Sequence, residues 1–167
     1  MGGYIMIKTS KVELGDLTAL SKLSMQSYKE AFYSLIDHKN VDSYADQVYQ
    51  PSKLKTELAA VASDFYFLKT DDKICGYLKI TKEHDFLEIN RIYMLRGFKG
   101  LGIGSFAMKK AEEIARESKI HRLVLGVLAL NKPAISFYSK KGFVEYSKTS
   151  VNIGDDPFTL LLMDKRI

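Results

Sequence analysis

Tyr93-Met-Leu-Arg-Gly-Phe-Lys-Gly-Leu-Gly-Ile-Gly-Ser105 is the stretch on which the reading of this chain turns. It leaves a β-prone run and enters a helical one. Glycines at 100, 102 and 104 carry no Cβ, so the backbone there can approach a ligand closely. The helix predicted from about Gly102 to Ser118 begins with N–H groups that lack intrahelical acceptors, and its dipole is positive at that end. Free donors, a dipole and Lys99 at the loop mouth together predict a cradle for a pyrophosphate. Two familiar phosphate loops fit poorly. Gly97 and Gly102 have P-loop spacing, but Ile103 stands where lysine belongs. The register Gly100-x-Gly102-x-x-Ser105 ends in serine and follows a meander strand, unlike a dinucleotide fingerprint opening a parallel unit.

Outward from the loop, the preceding segments read as an antiparallel meander: Phe65–Lys69, Ile74–Thr81 and Phe86–Met94, with turns at Asp71-Asp72 and His84-Asp85. Before them, Glu13 to Tyr33 repeats apolar residues near the helical period, Asp37 to Tyr49 suits a shallower helix, and Pro51-Ser52 opens a third. Ile5-Met-Ile7 is a candidate first strand. Beyond the loop, Val124–Leu128 reads as a strand and Asn131–Lys141 as a helix stopped by Gly142. Phe143–Thr149 and Phe158–Met163 are the last strands, with Asn152–Pro157 as their connection. No repeat or linker interrupts the chain, so residues 1–167 read as one α/β (α+β) domain.

The bulk properties bound the partners. The chain has 167 residues, 46% hydrophobic and 27% charged, enough to bury a core. A net charge of +5 suits an anionic ligand, but no Lys/Arg block interleaved with aromatics points to nucleic acid. No apolar run is long enough to span a membrane, and Met1–Met6 does not read as a secretory leader. The single cysteine, Cys75, forbids an internal disulfide and fits a reducing compartment. His38, His84, His121 and Cys75 show no metal-ligand spacing, so no metal is expected. The sequence leaves monomer and homodimer equally open.

Two motifs carry a family resemblance. Lys99-x-x-Gly102-x-Gly104 resembles the R/Q-x-x-G-x-G/A motif of the GNAT N-acetyltransferases, with lysine at the first position. Asn131-Lys-Pro-Ala-Ile-Ser-Phe-Tyr-Ser-Lys-Lys-Gly-Phe143 is similar to that family's N-x-x-A-x-x-F-Y-x-x-x-G-F signature. They occur in the family's order, and the surrounding elements extend the likeness over nearly the whole chain. Leu87-Glu-Ile-Asn-Arg-Ile-Tyr93 and Ile153-Gly-Asp-Asp156 further resemble the PaiA-type spermidine/spermine acetyltransferases, which are cytoplasmic bacterial enzymes.

The resemblance implies a mixed, mostly antiparallel sheet of about six to seven strands, flanked by helices. A splayed parallel pair in it would hold acetyl-CoA. It implies transfer of an acetyl group to a primary amine in a ternary complex, spermidine or spermine being the acceptor that the likeness suggests. A protein N-terminus or lysine is the alternative acceptor, and a CoA-binding regulator without catalysis is the reading from another class. Cofactor contacts would come from Ile92, Tyr93 and Met94 on the strand and from Lys99, Gly100, Leu101, Gly102, Ile103, Gly104 and Ser105 in the loop. Asn131, Tyr138 and Lys140 would complete them. Tyr138 matches the general acid that protonates the departing thiolate. Glu88 is the candidate base, on the expectation that 88, 90 and 92 face one side of a regular strand. Tyr28, Glu30, Tyr33, Asp37, Asp155 and Asp156 are candidates to meet a cationic acceptor.

Overall fold

The structure is a computed structural model that describes residues 4–167, so the opening three residues of the leader reading lie outside it. Its elements run β1 (Ile7–Lys11), α1 (Leu17–Phe32), α2 (His38–Val48), α3 (Pro51–Ala59), β2 (Ser63–Thr70), β3 (Lys73–Lys82) and β4 (Leu87–Met94). They continue as α4 (Ile103–Glu117), β5 (Arg122–Leu128), α5 (Lys132–Lys140), β6 (Val144–Ile153) and β7 (Asp156–Arg166). The seven strands form one sheet in the order β1-β2-β3-β4-β5-β7-β6. All pairings are antiparallel except β4 with β5.

Strand alternation assigns the two faces of the sheet. Phe65, Phe67 and Tyr77 pack with Leu20, Tyr28, Phe32, Val41 and Leu54 under α1–α3. Leu78, Ile80, Leu87 and Ile89 pack with Met108, Ala111 and Ile114 of α4, and α5 adds Phe137 and Tyr138 to that side. Both faces are therefore covered by helices whose apolar stripes meet the sheet.

Beyond shifts of a few residues at element ends, two segments differ from the sequence reading. The first strand is Ile7–Lys11 rather than residues 5–7, because Thr9 and Lys11 pair with Leu68 and Tyr66 across the sheet edge. The segment read as a connection at 152–157 is mostly strand: β6 runs to Ile153, β7 starts at Asp156, and a turn at Gly154-Asp155 joins them. Gly154 adopts φ +62°, a left-handed conformation natural to glycine.

Candidate active site

β4 carries a bulge where the site begins. Arg91 pairs with Lys79 and Ile89 with Ile80, so Asn90 is an extra residue without a counterpart on β3. A bulge bends and twists its strand. The parallel pairing of β4 with β5 ends at the same place, at Ile89↔Leu125. Beyond it the strands diverge. Leu95 donates its N–H to the Cys75 carbonyl at 2.8 Å, and donors alternate sides along an antiparallel strand. Tyr93 thus turns its backbone groups to β3, while Ile92 and Met94 turn theirs toward the gap. The gap opens into a cavity of about 1020 Å³.

The bulge also corrects the placement of Glu88. On an unbroken strand it would share a face with Ile92. Here Arg91 reaches Glu57 of α3 and Tyr93 packs under α1, whereas Ile92 packs toward α4. Leu87 and Ile89 are on the α4 side, so Glu88 between them faces α1–α3. Glu88 and Ile92 therefore lie on opposite faces. Glu88 is half-buried and lines the cavity on the α1–α3 side.

The glycine loop has the expected form. Gly100 and Gly102 adopt φ +80° and +81°, and Gly102 is the N-cap of α4. The first helical bond runs from Phe106 N to Gly102 O at 3.0 Å, so the N–H groups of Ile103, Gly104 and Ser105 precede it. A Cβ on Gly104 would lie 3.3 Å from the Phe137 ring and 3.4 Å from Met94 Cε, which keeps the helix start tight against β4 and α5. Asn131 caps α5, its side-chain oxygen accepting from Ala134 N at 3.4 Å.

Tyr138 packs edge-on to Phe137 and Phe143, with ring centroids 5.4 and 6.0 Å away. Burial pushes its hydroxyl up to about 12. It is therefore a protonated donor across the ordinary working range of pH.

Of the residues singled out in the sequence, the cavity wall brings together Glu88, Ile92, Tyr93, Met94, Lys99, Gly100, Gly102, Ile103, Gly104, Ser105, Asn131 and Tyr138. Leu101 and Lys140 are exposed and lie off the wall. Among the acceptor candidates Tyr28 and Glu30 line it, while Tyr33, Asp37, Asp155 and Asp156 do not. Asp37 is instead the N-cap of α2, accepting from Lys39 N at 2.9 Å, and Tyr33 donates its hydroxyl to Asp42. Asp156 accepts from Asn40 Nδ2 at 2.7 Å.

Three features had no sequence signal. Asn40, 7% exposed, bridges α2 to the β6–β7 turn through Asp156 and through the Asp155 N–H, 3.3 Å from its Oδ1. A Cβ on Gly154 would lie 2.3 Å from that same oxygen, so glycine permits the close approach. Glu57 accepts two bonds from Arg91, at 2.7 and 2.9 Å, and lies 3.0 Å from Lys79. Burial alone would raise the Glu57 carboxyl, but the Arg91 hydrogen bonds and charge, with Lys79, hold it below the usual range. Leu35, Tyr44, Val151 and Leu160 form apolar wall between the α1–α2 connection and the last hairpin.

Among the described residues no cluster of His, Cys, Asp and Glu could hold a metal. Among the described residues no helix is long and apolar enough to cross a membrane.

Comparison with known proteins gives a consistent result. The acetyltransferase (GNAT) family profile matches residues 25–143. An uncharacterized N-acetyltransferase of Lactobacillus delbrueckii subsp. lactis is 30% identical, the alignment covering 100% of this chain and 99% of that protein. The fold superposes on a PaiA N-acetyltransferase of Thermoplasma acidophilum in complex with coenzyme A, with a TM-score of 0.83 and 21% identity, covering 97% of this chain and 99% of that one. A ribosomal-protein-alanine N-acetyltransferase of Brucella melitensis gives a TM-score of 0.67 at 20% identity, covering 96% and 99%.

Proposed function

Because the chain belongs to the acetyltransferase (GNAT) family and is an acetyl-CoA-dependent acyltransferase, we propose that it acetylates a small primary amine by direct attack in a ternary complex. One observation carries this reading. The β4–β5 splay opens into one cavity whose wall includes the glycine loop, Glu88 and Tyr138. Both substrates can be held at once, so no covalent enzyme intermediate is needed.

Acetyl-CoA fits what the residues offer. The N–H groups of Ile103, Gly104 and Ser105, with Lys99, suit its pyrophosphate. The backbone groups of Ile92 and Met94 suit the amides of its pantetheine arm, which would complete the open strand edge. The thioester supplies an activated acyl group and a thiolate leaving group.

In this reading Glu88 accepts the proton that the ammonium must lose before attack, directly or through water. A backbone N–H at Met94 faces the charge developing on the carbonyl oxygen. Tyr138 donates its proton to the departing sulfur.

The Asn40 bridge favours a small acceptor. It ties the early helices to the last hairpin across the groove that a polypeptide would occupy. Spermidine and spermine are brought forward by the PaiA resemblance, and peptide N-termini are the remaining class. The test is amine-dependent release of free thiol from acetyl-CoA, run over small primary amines, both polyamines and an alanine-terminated peptide. Turnover of the peptide alone would overturn the small-acceptor reading. A folded protein that binds acetyl-CoA in calorimetry yet consumes it with no amine would overturn the transfer itself.

A further inference from the structure

We propose that the acceptor is a monoamine with an apolar or aromatic body: the acceptor end of the cavity offers one unengaged carboxylate, Glu88, beneath an apolar collar. This rests on the transferase reading above and names the acceptor class within it.

The collar comes from four elements. Tyr28 of α1, Tyr44 of α2, Leu35 between them, Val151 and Ile153 of β6 and Leu160 of β7 all line the cavity. Leu35 is 40% exposed although apolar. An exposed leucine at a cavity mouth, facing other apolar side chains, is a surface that an apolar ligand would cover.

Several charges on the wall are already engaged. Of its two carboxylates, Glu30 is occupied: it accepts from the Arg96 N–H at 2.8 Å and from Gln26 Nε2 at 3.0 Å. Lys79 and Arg91 are both held on Glu57. Glu88, the other wall carboxylate, makes no side-chain hydrogen bond or ion pair among the described residues, though it lies near enough to Lys79 to favour that residue's charge. Asp155 and Asp156 are off the wall. One ammonium therefore finds a partner. A second, further along the same acceptor, would meet the collar or approach Lys79 and Arg91. Aromatic faces do little to change this, since Tyr28 and Tyr44 are stacked on each other with centroids 4.9 Å apart. A cation without a counter-ion in a partly dry site is costly, whereas a methylene chain there is favourable.

The experiment compares amines that differ by one terminal ammonium, n-pentylamine against cadaverine, with phenethylamine and spermidine alongside. Free-thiol release reads kcat/KM for each. We expect n-pentylamine to exceed cadaverine by about tenfold or more, because the diamine leaves a charge unpaired. Leu35→Glu places a carboxylate in the collar at an exposed position where the fold tolerates it. It should move the diamine-to-monoamine ratio of kcat/KM by about tenfold toward the diamine. Equal or better use of cadaverine or spermidine by the wild-type protein would overturn the inference and leave the transferase intact. A ratio unmoved in a folded Leu35→Glu protein would also overturn it, since the collar would then not touch the acceptor. No thiol release with any of the four amines would remove the small-amine reading and this inference together.

Discussion

At the scale of single residues, the site separates groups that act by chemistry from those that act by shape. In the proposed transfer Tyr138 is the proton donor, and burial holds its hydroxyl up at about 12. Tyr138→Phe should leave acetyl-CoA affinity in calorimetry nearly unchanged and lower kcat by about 10²–10⁴-fold. The raised value also fixes the pH behaviour: the donating form is present below that value and disappears only above it. The wild-type kcat profile should therefore show no basic limb from Tyr138 up to about pH 11. Gly102 acts by shape. At φ +81° an L side chain is strained, although a Cβ there would meet open space. Gly102→Ala should cost about 1–2 kcal/mol in urea unfolding, through the left-handed backbone rather than through a clash. These residues were legible in the sequence because loop, cap and helix start are neighbours along the chain. Leu101 and Lys140 also fall within the motifs, yet both are exposed and neither lines the cavity. A motif gives spacing, and orientation then depends on what each element packs against.

At the scale of elements, the meander and the central helices agree with the periodicity of the chain, the parallel pair agrees with what the family resemblance implied, and the differences have identifiable causes. Period-2 alternation places Glu88 with Ile92, but the bulge at Asn90 breaks the alternation. No composition signal marks a bulge whose extra residue is asparagine rather than glycine. The same strand is joined to α3 by Glu57, which both Arg91 and Lys79 contact. Glu57→Ala would leave two half-buried cations without their carboxylate and should cost about 3–5 kcal/mol in denaturant unfolding. Its folded carboxyl lies below the value in the unfolded chain. The stabilisation is thus complete above the unfolded value near 4.5 and lost as pH falls through the lower folded one. Wild-type stability should drop in that acid window more steeply than that of Glu57→Gln. The Asn40 bridge works on the same scale. Asn40→Ala should speed amide exchange in residues 152–157 and in the first turn of α2, with α4 unaffected, as read by hydrogen-exchange mass spectrometry.

For the whole molecule, the α1–α3 face is rich in tyrosine. Tyr28, Tyr49, Tyr77 and Tyr93 are packed there and Tyr138 on the other side, each with its hydroxyl raised, burial being the main cause. Groups raised in the folded state leave stability whole below the unfolded value near 10 and remove it as pH rises above that. Unfolding midpoints should hold level to about pH 10 and then fall, with tyrosine ionisation followed by absorbance appearing together with loss of structure. That aromatic core, the collar of the cavity beside it and the glycine loop meet along β4, and they were unequally visible beforehand. The sequence by itself determined the meander strands, the glycine turns before α4 and the Asn131 cap, while the mixed sheet and the choice of Tyr138 came through the family resemblance. The first three depend on dihedral preferences and hydrogen bonds between residues near one another in the chain. Only the tertiary structure decided the face of Glu88, the Asn40 bridge to Asp156, the shared Glu57 and the collar from Leu35 to Leu160. Those contacts join segments distant in sequence, and such pairings are chosen by packing and by which charges must be matched once water has left. No local pattern records that choice.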